Sequence, residues 1–270
     1  MKKITLVALF IFALTSVAAA APLMEFDKGK VALDYTYRPS LDFKAGGRIA
    51  GTAFGDPVNI GGARSFDGDA NLDLGLTFGI GNRWAIQYRQ YNPQGNIWGY
   101  NGPVPIYIND SQPTINVGFD AKIRTDEYNL LYSLNKNWAA FVGAVTTKAG
   151  VKSSLGGSLG SDSASLTIPE LWSEDKNHFQ FGMVGSYKIG DKTHFWGLAS
   201  FGSDYRNWET GLSYDIGKDL QFNVNYRNTK FDKFKFAGLN VNYESSSVIS
   251  LDATGDVTVK GWGFGLTYKF

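Results

Sequence analysis

The chain contains no cysteine, and this absence excludes both disulfide bonds and thiolate metal sites. It has only two histidines, His178 and His194, so the residue most often used for metal binding and acid–base catalysis is scarce. After the first 20 residues there is no apolar run of 18 residues, and the sequence predicts no membrane-spanning helix there. The 26 basic and 25 acidic side chains nearly balance, so we expect no nucleic-acid partner.

The first 20 residues have the pattern of a secretory signal peptide. Lys2 and Lys3 precede an apolar run of about 14 residues, which is followed by four alanines, residues 18–21. A helix of that length is too short to cross a hydrocarbon core of about 30 Å. We therefore predict export, removal of residues 1–20 by cleavage after Ala20 or Ala21, and a short periplasmic N-terminal segment over residues 21–28.

Much of the remaining chain alternates between apolar and polar residues, with the period of two that is typical of β-strands. The clearest example is the last ten residues, in which every odd position is Gly, Thr or Lys. The even positions hold Trp262, Phe264, Leu266, Tyr268 and Phe270. Such a strand has one fully apolar face and one small, polar face.

A strand of this kind that ends the chain on Phe270 resembles the closing strand of bacterial outer-membrane β-barrels. The resemblance covers the architecture of the whole chain and implies an integral protein of a Gram-negative-type outer membrane. It also implies that periplasmic chaperones and the barrel assembly machinery act during export, with Trp262, Phe264, Leu266, Tyr268 and Phe270 as the assembly signal. Outer-membrane lipid and lipopolysaccharide would surround the barrel, and we expect a monomer without a cofactor.

Ten alternating segments can be traced over residues 29–270, and their connections divide into short turns and long loops. The long connections lie near residues 40–69, 92–122, 148–177 and 229–257, where sustained alternation is absent and where we expect extracellular loops. Short periplasmic turns, long outer loops and an even strand number are typical of outer-membrane barrels. The predicted fold is therefore all-β, a single transmembrane antiparallel barrel of ten strands. Twelve strands are the alternative if the last long connection adds a membrane hairpin.

The alternation changes phase once within a predicted strand. Apolar residues occupy odd positions up to Ile123 and even positions from Tyr128 onward. A phase slip within one strand is typical of a β-bulge, which we predict near residues 125–127.

Tryptophan follows several of the short turns. Trp84 and Trp138 each come directly after a turn of two or three residues, and Trp208 begins another strand. Because the amphipathic indole ring is favoured where a membrane meets water, we predict that these three residues are interface aromatics.

The polar face of the strands should line the lumen, and it carries a mixture of acids and bases. A ten-stranded barrel is only slightly wider than the eight-stranded barrel that side chains fill. Because unpaired buried charges are costly, we expect pairing across the lumen, with Arg38, Arg89 and Arg227 among the bridging cations. The predicted charge network comprises Asp34, Arg38, Asp73, Arg83, Arg89, Lys188, Glu209, Asp215 and Arg227.

A filled lumen favours a role in outer-membrane structure, or in surface interaction through the outer loops, where an extracellular ligand would bind. The alternative is a small porin-like channel for small solutes. An outer-membrane enzyme is a remote alternative, either a protease or a lipid A-modifying enzyme. Omptin proteases use acidic residues and histidine at the barrel rim, but Asp175 precedes His178 by three residues, which is not the omptin Asp-x-His spacing. We therefore predict no catalytic, cofactor-binding or metal-binding residues.

Overall fold

The computed structural model describes residues 26–53, 56–103, 114–159, 162–173, 175–243 and 246–270. The predicted signal peptide and its cleavage site lie outside these ranges. Among the described residues, no helix is long and apolar enough to cross a membrane. These residues form fourteen strands: β1 (Val31–Arg38), β2 (Leu41–Ala53), β3 (Asp56–Gly68), β4 (Asn71–Gly81), β5 (Trp84–Tyr91), β6 (Gln94–Pro103), β7 (Thr114–Asn135), β8 (Trp138–Leu159), β9 (Asp162–Trp172), β10 (Lys176–Lys188), β11 (Thr193–Gly202), β12 (Tyr205–Asp215), β13 (Leu220–Tyr243) and β14 (Ser246–Lys269).

Ten of these strands close into an antiparallel barrel. The order around the ring is β1, β4, β5, β7, β8, β10, β11, β12, β13, β14, and β14 pairs again with β1. In the closing register Tyr35 lies opposite Leu266, and Tyr37 lies opposite Phe264. The prediction of a ten-stranded barrel is confirmed. The twelve-stranded alternative is wrong, because the last long connection lengthens β13 and β14 and adds no further strand to the ring.

Side-chain alternation places an apolar belt on the outside of the barrel. On β4, Leu72 and Leu74 are 40% and 44% exposed, whereas Asn71 and Asp73 are buried inside. The closing strand behaves in the same way, with Trp262 and Phe264 exposed on the outer face. A continuous apolar band of this kind would be unfavourable in water, and it fits a wall that faces lipid.

The two ends of the barrel differ in how the strands are joined. At one end, here called the short-turn end, the connections are residues 82–83, 136–137, 189–192 and 216–219. At the other, here called the extended end, residues 203–204 join β11 to β12 at the height of the barrel. The other four connections at this end contain further strands or extensions of the barrel strands themselves.

The first three long connections were expected to be loops, but for most of their described length they are paired strands, and the last was expected to hold a hairpin that projects from the rim. They form β2, β3, β6 and β9 and the outer parts of β7, β8, β13 and β14. A strand beyond the membrane can meet water on both faces, so backbone pairing continues there without an apolar face to reveal it. About 9–11 residues cross a bilayer, so β13 and β14, with 24 residues each, continue for roughly 40 Å along the strand beyond it.

The bulge predicted near residues 125–127 is absent. Thr125, Asp126 and Glu127 pair with β8 in unbroken register. Ile123 points into the lumen and is buried, whereas Tyr128 faces lipid and is 54% exposed. The apolar residues therefore change from the inner to the outer face where β7 enters the membrane, without any slip in the strand.

Inward-facing side chains fill the lumen in three layers. Charged and polar residues occupy the middle, and an apolar layer lies on either side of them. The short-turn apolar layer consists of Phe26, Ala32, Ala85, Leu131, Ala139, Phe141, Val184 and Leu198. The extended-end apolar layer consists of Leu41, Phe43, Tyr91, Ile123, Val145, Ala149, Tyr205, Phe231, Phe234 and Val259.

Candidate functional site

Strand register brings acids and bases together in the middle of the lumen. Glu209 on β12 lies directly opposite Arg227 on β13. Arg89 on β5 lies directly opposite Glu127 on β7. Because directly opposed residues share one face of a sheet, each of these pairs points into the lumen.

Glu209 contacts three arginines. Its Oε1 accepts a hydrogen bond from Arg38 Nη2 at 3.0 Å. Its Oε2 accepts hydrogen bonds from Arg89 Nη2 at 2.6 Å and from Arg227 Nη2 at 3.0 Å. The Glu209 side chain is only 4% exposed, so this carboxylate depends on the three guanidinium groups for its solvation.

Two further acids complete the group. Asp73 Oδ2 accepts hydrogen bonds from Arg38 Nε at 2.7 Å and Arg227 Nη1 at 3.0 Å. Glu127 lies 3.8 Å from Arg89 Nη1 and accepts a hydrogen bond from the Tyr205 hydroxyl at 2.7 Å. Three arginines thus face three acids, and the charges balance. The ionic cluster is defined here as Arg38, Asp73, Arg89, Glu127, Glu209 and Arg227.

The ionic cluster spans the lumen from wall to wall. Strands β5 and β12 stand five places apart in the ring of ten, on opposite sides of the barrel. Arg89 and Glu209 nevertheless meet at 2.6 Å, and the hydroxyls of Tyr91 and Tyr205, on the same two strands, lie 3.0 Å apart. The cavity beside the cluster has a volume of about 40 Å³, which is room for a few water molecules and too little for a sugar.

Close packing against the closing strand holds Arg38 in place. Its Nη1 donates a hydrogen bond to the Gly261 carbonyl at 3.0 Å. A Cβ atom on Gly263 would lie 2.5 Å from Thr36 Cγ2 and 2.9 Å from Arg38 Nη1. Glycine at position 263 therefore provides the clearance that the guanidinium group needs.

The ionic cluster contains five of the nine residues in the predicted network, and the other four lie elsewhere. Asp34 lines the lumen wall, where Thr267 Oγ1 donates to it at 3.2 Å. Asp215 lies near the short-turn end, 3.2 Å from His194 Nε2. Arg83 and Lys188 are exposed, Arg83 in a turn and Lys188 at the end of β10. Both residues lie at the short-turn end of the barrel, beyond the filled part of the lumen.

Three residues in or beside the ionic cluster were not predicted from the sequence. Glu127 falls in the segment that was interpreted as a bulge, so its inward direction was not recognised. Tyr91 and Tyr205 resemble the aromatics of the lipid-facing belt. The only sequence signal for these two tyrosines is their spacing from an inward-facing charge. Tyr91 follows Arg89, and Tyr205 precedes Glu209, by an even number of residues, which places each tyrosine on the same face of its strand as the charge.

The histidine considered for catalysis is enclosed. His178 is 3% exposed, its Nε2 lies 3.2 Å from Thr147 Oγ1, and its ring stacks on Tyr205. Asp175 does not contact it and pairs with Lys148 at 3.1 Å, while Glu174 lies outside the described residues. In the part of the chain that the structure describes, no group of three or more His, Asp or Glu residues could hold a metal ion.

A second charge group lies at the extended end, outside the membrane-spanning part. Asp204, in the turn between β11 and β12, pairs with Lys176 and Lys233, each at 2.8 Å. Hydrogen bonds from Lys176 and from Lys233 lower the pKa of Asp204 to about 2. These contacts tie β10 and β13 to the turn between them.

The three predicted interface tryptophans all lie on the outer face of the barrel, but they do not all lie at the same end of it. Trp84 and Trp138 lie at the short-turn end and are 38% and 49% exposed. Trp208 is 45% exposed and lies near the start of β12, toward the extended end. The three residues therefore occupy both ends of the apolar belt.

Comparison with known proteins identifies the fold. No protein-family model matches the chain, and no curated protein matches it. The solved structure of the outer membrane protease OmpT from Escherichia coli is 10% identical, with a TM-score of 0.56 over 93% of this chain and 100% of OmpT. This chain has the fold of a small bacterial outer-membrane β-barrel. The likeness to OmpT shows the fold alone, and the apolar belt agrees with a barrel wall that faces lipid.

Two other outer-membrane proteins match less closely. OprG from Pseudomonas aeruginosa is 12% identical, with a TM-score of 0.40 over 92% of this chain and 99% of OprG. Ail from Yersinia pestis is also 12% identical, with a TM-score of 0.32 over 90% of this chain and 99% of Ail.

Proposed function

We propose that this protein is a closed, non-conducting barrel that serves in outer-membrane structure or in surface interaction. The observation that carries the proposal is the 2.6 Å contact between Arg89 and Glu209, which joins opposite walls of the lumen. A solute path would have to separate these two groups.

The energetics of the lumen support closure. Leaving one member of a buried ion pair without its partner costs about 3–5 kcal/mol. Opening the barrel at this height would separate Glu209 from Arg89 and Arg38, which approach it from other strands. The apolar layers above and below the ionic cluster add further barriers to ions.

The extended end supports a role in surface interaction. Strands β13 and β14 continue well beyond the length that a bilayer needs, and β2 pairs with the outer part of β14. Paired strands offer a defined surface for contact, and connecting segments often carry binding functions. The proposal includes no enzymatic role, since His178 is buried beneath Tyr205.

Planar-bilayer recording tests the proposed closure. The folded wild-type protein is expected to show no large, stable conductance, and proteoliposomes that contain it should not swell in small sugars. A general porin inserted in the same bilayers serves as the positive control. A large, stable open pore in the wild type would contradict the proposal and favour the small-channel alternative.

We also propose that the C-terminal strand is the assembly signal. Phe270 pairs with Val31 through Phe270 N to Val31 O at 2.9 Å, and its ring packs on Tyr268. Deleting Phe270 should lower the amount of assembled barrel in the outer membrane severalfold, measured by its heat-modifiable migration on gels. The control is Phe179→Ala, which removes an aromatic ring that is 66% exposed on β10. Equal assembly of the deletion and the wild type would refute this role.

A further inference from the structure

Residues 26–30, here called the short-turn lid, turn back at the short-turn end of the barrel, directly before β1. Lys30 N donates to Asp27 O at 3.1 Å and closes a turn, in which Gly29 has a φ of +87°. This left-handed conformation favours glycine. The turn reverses the direction of the chain at the start of the first barrel strand.

The lid lies inside the mouth of the lumen, against the inner face of β4. Gly79 is on that face, two residues from the fully buried Thr77, and its carbonyl accepts a hydrogen bond from Gly29 N at 3.0 Å. A Cβ atom on Gly79 would overlap the backbone oxygen of Asp27 and lie 3.1 Å from that of Phe26. A side chain at position 79 would therefore push the lid away from the wall.

A single side chain anchors the lid in the lumen. Phe26 is 3% exposed and belongs to the short-turn apolar layer, whereas residues 27–30 are all exposed. Three of the other seven residues in that layer are alanines, Ala32, Ala85 and Ala139, so the Phe26 ring fills space that the strands leave. A segment with so few buried contacts opens locally at low cost in free energy.

The lumen at this end contains polar atoms that would gain from water. Ser213 on β12 and Gln221 on β13 are buried on the inner wall near the short turns. Among the described residues, neither Ser213 Oγ nor Gln221 Oε1 has a hydrogen-bond partner. A buried polar atom without a partner is unfavourable, and water that enters from this end would supply the partner. Hydration of this wall would therefore offset part of the cost of lifting the lid.

We propose that the short-turn lid opens and closes, and that the open lid admits water and small polar molecules to the short-turn apolar layer and the polar wall beside it. The ionic cluster and the extended-end apolar layer stay in place, so the lumen remains closed across the membrane. This inference goes beyond the proposed function, because it concerns access from one end of the lumen only.

Thiol labelling tests the lid, since the chain has no native cysteine. Thr77→Cys reports on the lumen behind the lid. Thr229→Cys reports on the rest of the fold, because Thr229 is fully buried on β13, beyond the ionic cluster. The full barrel, folded in detergent micelles, is treated with a small trimethylammonium thiosulfonate. Without further substitutions, Thr77→Cys should be labelled slowly and Thr229→Cys only after unfolding.

Two variants are designed to lift the lid. Gly79→Ala places a methyl group where the lid backbone lies, and Phe26→Ala removes the anchoring ring. The matched control is Gly197→Ala, because the nearest atom to a Cβ there, the Glu209 carbonyl oxygen, is 3.7 Å away. Phe26→Leu keeps an apolar anchor and should restore protection. Folding of each variant is checked by heat-modifiable migration, and Phe26→Ala carries the test if Gly79→Ala does not fold.

Both lid variants are expected to label Thr77→Cys at least about tenfold faster than the control variant, because labelling of a transiently opened site follows the open population. Thr229→Cys should stay protected in every variant. Unchanged labelling of Thr77→Cys in the lid variants would overturn the lid, and so would equal protection of the two cysteines when the lid is intact. Faster labelling of both cysteines together would show a general loosening of the barrel and would also overturn it.

Discussion

The ionic cluster and the extended-end apolar layer fill the same lumen by different means. The ionic cluster contains three arginines and three acids, and Glu209 alone accepts hydrogen bonds from all three arginines. The apolar layer uses aromatic rings in tilted contact, such as Phe231 with Tyr205 at 5.5 Å and with Phe234 at 5.8 Å.

This difference concerns how much change each layer can tolerate. A buried charge requires partners of opposite sign at defined distances, so shape alone does not preserve it. An apolar contact requires only volume and low polarity, and neighbouring side chains can adjust to a small change. We therefore expect shape-conserving substitutions to be costly in the ionic cluster and mild in the apolar layer.

The largest effect is expected from Glu209→Gln. The amide keeps the size of the carboxylate but removes the charge that Arg38, Arg89 and Arg227 share. Three buried cations would then face two acids, and the free energy of unfolding should fall by about 3–5 kcal/mol. Equilibrium unfolding in guanidinium measures this change. A loss below about 1 kcal/mol would remove the distinction between the two layers.

A smaller effect is expected from Phe231→Leu in the apolar layer. Phe231 is fully buried and contacts the rings of Tyr91, Tyr205 and Phe234. Leucine retains most of its volume, so the free energy of unfolding should fall by about 1 kcal/mol under the same conditions. If Phe231→Leu lowers the free energy of unfolding as much as Glu209→Gln does, the apolar layer tolerates change no better than the ionic cluster does.

The smallest effect is expected from Asp204→Asn, which lies outside both layers. Lys176 and Lys233 lower the pKa of Asp204 to about 2, so its contribution is present above about pH 4 and is lost as the pH falls toward 2. At pH 7 the loss should be a small fraction of the Glu209 effect, because partly exposed pairs contribute little. Unfolding midpoints at pH 7 and pH 2.5 should therefore differ less in the variant than in the wild type. An identical pH dependence in the two proteins would show that the ion pairs of Asp204 with Lys176 and Lys233 do not contribute to stability.

Sequence reasoning succeeded where the membrane imposes alternation. The bounds of β1 and β4 and the inward direction of Arg38, Asp73 and Arg227 follow from a period of two with lipid on one side. It failed beyond the membrane, where Leu41–Ala53 and Asp56–Gly68 pair as β2 and β3 although their sequence lacks sustained alternation.

The sequence predicts the direction in which each inward charge points better than it predicts the residues that the charge contacts. Alternation gives the face on which Glu209 and Arg89 lie, but not that strands five places apart meet at 2.6 Å. Glu127 was missed because the apolar pattern of β7 changes face next to it, which imitates a bulge. Such contacts depend on the barrel's width and register, which appear only when all ten strands are in place.

The most direct test of a closed lumen uses the absence of native cysteine. Asn225 is 1% exposed and lines the small cavity beside the ionic cluster, and Lys218 lies in an exposed turn. Asn225→Cys and Lys218→Cys are exposed separately, in the folded barrel, to a charged, membrane-impermeant thiol reagent added to both sides. A closed lumen predicts rapid labelling at position 218 and labelling at position 225 only after unfolding. Labelling of folded Asn225→Cys at the rate seen for Lys218→Cys would contradict it.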